Sequence, residues 1–90
     1  MEMASYIFRI LRSQPIIVMS WGFHCPVAVK DGLRFLVEGR LHKGCVEVVY
    51  DEGADLFIAR TIKKGQLIRE EKDIYLDCLI GIIDRMVETQ

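Results

Sequence analysis

Two histidines and two of the three cysteines, His24, Cys25, His42 and Cys45, are the residues of this chain best suited to chemistry. Two imidazoles and two thiolates suffice to fill a tetrahedral zinc shell. A strand bending at Gly44 would bring His42 and Cys45 to one ion. Adjacent His24 and Cys25 point to opposite sides of an extended chain, so they converge only if the chain turns there. The same residues offer a Cys–His nucleophile pair, but that chemistry needs a positioned imidazole and usually a third orienting group, and the sequence selects neither. A zinc-binding domain through His24, Cys25, His42 and Cys45 therefore stands as an alternative reading. No catalytic residue, metal ligand or cofactor site is assigned. Cys78 reads as a small packing residue on the flank of a helix.

The other charged groups carry less. Asp51, Glu52 and Asp55 form the densest acidic patch, without the six or so spaced oxygen ligands of a calcium loop. No glycine-rich phosphate motif is present. Arg60, Lys63, Lys64 and Arg69 make a modest basic patch, with Tyr50 and Phe57 as possible stacking platforms, and support a second alternative, a nucleic-acid-binding module. Two features weigh against it. The net charge is −1, and the last helical pattern opens with Asp73 and Asp77, which would repel phosphate.

The elements that must position these groups are clearer. Met3, Tyr6, Ile7, Ile10 and Leu11 recur at helical spacing, so residues 3–12 read as a helix with a very wide apolar arc. Pro15 stops it, and Ile16 to Met19 read as a short buried strand. Residues 1–18 are taken as an N-terminal helical extension, with the compact domain over 19–90. From Ser20 to Gly32 the pattern suits either a helical turn or two starting at Pro26, or an irregular extended segment. Trp21-Gly22-Phe23 reads as an aromatic plug at one end of the core.

Alternation then takes over. Leu33 to Glu38, Leu41 to Tyr50 with a bulge at Gly44, Leu56 to Ile62 and Gln66 to Glu71 read as three or four strands. Turns at Gly39-Arg40, Asp51 to Asp55 and Lys63-Lys64-Gly65 are too short for crossovers, so the sheet is an antiparallel meander. A helix capped by Asp73 closes the chain, with Leu76, Leu79, Ile80, Ile83 and Val87 along its centre and Asp84 on its polar side. The fold class is α+β: a meander with an amphipathic C-terminal helix on one face and a short N-terminal helix.

One imbalance points toward function. The chain is 51 % hydrophobic before its seven glycines are counted, against about 45–50 % for average proteins with glycine included. A domain of 90 residues has much surface to cover. The second sheet face keeps Leu36, Val49 and part of the Leu56 to Ile62 run, so neither face reads as fully wet. That face should be covered by the N-terminal helix, a second subunit, or both. Three cysteines without a CxxC pattern suit a reducing compartment, and no apolar run reaches the ~18 residues of a membrane span. The expectation is a small cytoplasmic interaction protein, a homodimer or the partner of another protein, without catalytic activity.

Overall fold

The computed structural model describes residues 3–88 and shows an α+β domain built on a five-stranded antiparallel sheet. Helices α1 (Met3–Arg12) and α2 (Pro15–Ser20) precede strands β1 (His24–Val29), β2 (Gly32–Glu38), β3 (Lys43–Asp51), β4 (Leu56–Lys63) and β5 (Gln66–Ile74). A single 3-10 turn at Leu76–Cys78 leads into α3 (Leu79–Val87). Spatial order equals chain order, β1 to β5, so every strand pairs with its predecessor. Among the described residues no helix is long and apolar enough to cross a membrane.

Strand alternation divides the sheet into two unlike faces. Leu33, Phe35 and Val37 of β2, Val46 and Val48 of β3, and Phe57, Ala59 and Thr61 of β4 are all buried on the inner face. The ambiguity of the Leu56 to Ile62 run is thereby resolved: Phe57 and Ala59 face the core, while Ile58, Arg60 and Ile62 face away. Helix α1 contributes Ala4, Ile7 and Leu11 to the core, and α3 contributes Leu79, Ile80, Ile83, Met86 and Val87. Both helices therefore lie on the same side of the sheet. The expectation that the N-terminal helix shields the second face is overturned, because the apolar stripe of α1 is used up on the first. The segment read as an extension, residues 1–18, also places Val18 in that shared core.

The aromatic plug is real. Trp21 is fully buried and stacks on Phe35 at 6.4 Å between centroids, while Phe23 meets Phe35 at 4.7 Å. Three elements differ from the sequence reading, each for a local reason. Pro15 opens α2 instead of only ending α1, since a residue without an N–H suits the first helical position; Ile16 to Met19 are accordingly helical. The segment around Pro26 is a fifth strand, tolerated because β1 is an edge and Pro26 falls where its register is interrupted, between His24 and Val27. Asp73 is not a helix cap. It sits within β5 at φ +56, and the helix proper begins six residues later at Leu79.

Gly44 does not make a bulge either, since the β2–β3 register runs without interruption from Gly32↔Val49 to Glu38↔Lys43. Glycine is needed there for close approach: a Cβ would stand 3.0 Å from the Ile62 carbonyl oxygen and 3.3 Å from His42 Nε2.

Candidate interaction surface

The outer face of the sheet can be read row by row, because residues opposed across antiparallel strands share a side. A central row runs Val27, Arg34, Glu47, Arg60 and Glu70 across the five strands. On one flank lie His24, Leu36, Cys45, Ile62 and Leu67. On the other lie Val29, Gly32, Val49 and Ile58. The surface is thus a charged stripe between two apolar ones. Leu67 and Val27 are each 56 % exposed and Leu36 37 %. Among the described residues no helix covers them.

The charged stripe is internally paired. Glu47 bridges Arg34 at 2.8 Å and Arg60 at 3.0 Å, and Arg60 Nε donates to Glu70 at 2.6 Å. Lys72 Nζ stands 3.7 Å from the other oxygen of Glu70. The Arg60 guanidinium, with smaller help from Lys72, holds the Glu70 carboxyl below its ordinary range against the opposing effect of burial. Glu47 in turn raises Arg34, and Glu70 followed by Glu47 raises Arg60. Two arginines and two glutamates cancel, so the stripe is neutral yet strongly patterned.

Both free edges of the sheet are broken. In β1 a bulge at Cys25-Pro26 interrupts the register, with Cys25 at φ +54. In β5 one extra residue is inserted at Ile68 and another at Lys72-Asp73. Bulges and proline on edge strands prevent a second sheet from adding there. The sheet is closed at its rims and open on its face.

The four residues of the zinc reading do not come together. His24 Nδ1 pairs with the Gly22 carbonyl oxygen at 2.6 Å, and buried His42 pairs through Nε2 with the Cys45 carbonyl oxygen at 2.9 Å. Both imidazoles thus answer backbone oxygens, not thiols. His24 and Cys45 share a row but stand two strands apart, separated by Leu36, roughly 10 Å between backbones. Burial raises the Cys45 thiol against the pull of Arg34, which keeps it protonated and a poor nucleophile or ligand. Among the described residues no group of three or more His, Cys, Asp or Glu side chains is placed to hold a metal ion. Cys78 is exposed, not packed.

The basic patch is likewise dispersed. Arg60 lies on the outer face and is held by two glutamates, whereas Arg69 opposes Thr61 on the inner side and pairs with Glu71 at 3.1 Å. Lys63 and Lys64 sit at the β4–β5 turn, where Lys64 and Gly65 both take positive φ. Tyr50 and Phe57 meet edge to face at 5.5 Å, and the Tyr50 hydroxyl donates to Asp55, so neither ring is offered for stacking.

A smaller apolar feature lies at the other side of the molecule. Helix α2 holds Ile16 and Met19 in solvent beside a groove of about 190 Å³ lined by Phe8, Leu11, Pro15, Val18 and Phe23. The paired outer row is what the sequence reading missed. Its members were visible as charges, but their opposition depends on the register of three successive hairpins. Comparison with protein families, curated proteins and solved structures produced no match to this chain.

Proposed function

We propose that this chain is a small cytoplasmic protein–protein interaction domain without catalytic activity, working as a homodimer through the outer face of its sheet. The observation that carries the reading is a whole sheet face with two apolar rows and no covering element among the described residues. An antiparallel sheet tolerates one wet face, but such a face is normally polar along its length. Leu36, Ile62 and Leu67 in one row and Val49 and Ile58 in the other exceed the scattered apolar residues of an ordinary surface. Burying them against a second protein uses the hydrophobic surplus that the composition announces. Exposed thiols at Cys25 and Cys78 suit a reducing compartment.

The test is the oligomeric state of the full chain by sedimentation and native mass spectrometry, beside Leu67→Glu. Leu67 is exposed on the outer face, so its replacement leaves the core intact. A wild-type dimer that becomes a folded monomer on substitution is the expected result. A wild-type monomer at every concentration, or a Leu67→Glu dimer of undiminished affinity, would overturn the proposal.

A further inference from the structure

We infer that the covering partner is a second copy placed by a two-fold axis that runs parallel to the strands, between β3 and β4, so that the two outer faces stack with their charged rows in opposition. This inference rests on the interaction reading above and fixes its partner and geometry. The argument begins with the order of charge along the central row: Arg34, Glu47, Arg60, Glu70, alternating in sign and even in number. Read backwards, the row has every sign reversed. Face-to-face packing of identical sheets therefore has two simple two-fold arrangements, and they differ sharply in energy.

An axis parallel to the strands reverses strand order. Glu47 then faces Arg60 of the partner subunit, and Arg34 faces Glu70 of the partner subunit. Each flanking row meets its own counterpart, with Leu36 over Leu67 of the partner subunit and Val49 over Ile58 of the partner subunit. An axis across the strands instead sets each arginine over its own copy and each glutamate likewise. Like charges in a drying interface are strongly unfavourable, so this second arrangement is excluded by its electrostatics. The first joins intra-chain and inter-chain pairs into a sheet of alternating charge, which offsets the desolvation of groups that must leave water. The charges fix orientation, and the apolar rows supply the attraction.

Two further observations favour this surface. The bulged edges at Cys25-Pro26, Ile68 and Lys72-Asp73 disfavour dimerisation by adding strands, leaving the face as the available route. Under this axis four strands, β2 to β5, lie opposite strands of the second copy; about 4.8 Å apart and seven to nine residues long, they give a contact of roughly 500 Å² per copy. Two copies thus bury about 1,000 Å² in total, the threshold for a biological interface and the size of a weak, reversible dimer.

The decisive experiment reverses the whole row at once, with Arg34→Glu, Glu47→Arg, Arg60→Glu and Glu70→Arg in one chain. The Arg34–Glu47, Glu47–Arg60 and Arg60–Glu70 pairs are kept with their signs exchanged, and only the longer Lys72–Glu70 contact is lost. Under the proposed axis, reversed chains pair with themselves and wild type with itself, while mixed dimers set like charges together. Subunit exchange between labelled chains should show mixed dimers depleted roughly tenfold or more against random mixing. Preferential mixed dimers would establish the crossed axis and overturn the inference. Random mixing would also overturn it, while dissociation by Leu67→Glu would still uphold the broader reading.

A second pair of variants serves if the reversed chain does not fold. Chains with Cys25, Cys45 and Cys78 replaced by serine carry Leu36→Cys in one and Leu67→Cys in the other. A short thiol cross-linker should join the mixture and leave each chain alone unjoined. Joining within either single population, or no joining in the mixture, contradicts the axis.

Discussion

The Trp21 indole Nε1 donates to Asp84 Oδ1 at 2.9 Å, a hydrogen bond between residues 63 positions apart. It ties the residue that ends α2 to the middle of α3. Trp21 has no exposed surface, so its N–H has no water to turn to.

Removing that acceptor should be costly. Asp84→Ala leaves a buried donor unpaired and should lower stability by about 1–3 kcal/mol. Asp84→Asn keeps an oxygen in place and should lose less. Thermal or urea unfolding of the three proteins, followed by tryptophan fluorescence, gives the comparison. Equal stability of Asp84→Ala and wild type would show that the bond contributes nothing.

Two glycines should respond in opposite directions. A Cβ on Gly39 would stand 2.2 Å from Val87 Cγ1 and 2.5 Å from the Val87 carbonyl oxygen, the same oxygen that accepts from Leu41 N at 2.7 Å. The β2–β3 turn is therefore clamped to the end of α3, and Gly39→Ala should destabilise by about 1–3 kcal/mol. Gly81 lies on the exposed side of α3 with open space around it. Gly81→Ala should stabilise by about 0.5–1 kcal/mol through helix propensity. Chemical denaturation midpoints should thus move apart, and a shared direction would contradict the packing described.

The outer charged row should leave a signature at acid pH. The folded Glu70 carboxyl is held below its ordinary value, chiefly by the Arg60 hydrogen bond. Its stabilising contribution is therefore fully present above the unfolded value, near ~4.3, and is lost as pH falls through the lower folded value. The melting temperature of Glu70→Gln should lie below that of wild type at neutral pH, and the gap should close in the acid limb. A gap independent of pH would show that the carboxylate's charge is not what Arg60 responds to.

Much of this fold is written in local pattern. Leu33, Phe35 and Val37 alternate so strictly that β2 is legible to within a residue, and α1 follows from the spacing of Ile7 and Leu11. The unread parts share one property: their residues are ambiguous until a neighbour is known. Pro26 looks like a helix start or a loop unless the strand holding it is seen to be an edge. Asp73 looks like a cap unless β5 is known to need an extra residue opposite Ile58. The paired row was hidden for the same reason. Arg34, Glu47, Arg60 and Glu70 are spaced by 13, 13 and 10 positions, and only the register converts those separations into adjacency.

Because each strand pairs with its predecessor, the ladder requires nothing but hairpins, while both covers of the inner face come from the far ends of the sequence. A chain emerging from the ribosome can therefore pair its earlier hairpins, with α1 already present, before α3 arrives last to seal Phe57 and Ala59 from water. During that interval the nascent sheet exposes apolar residues on both faces at once. Synthesis thus includes a stage at which chaperone capture and premature association compete with folding, and it lasts until the final helix clears the exit tunnel.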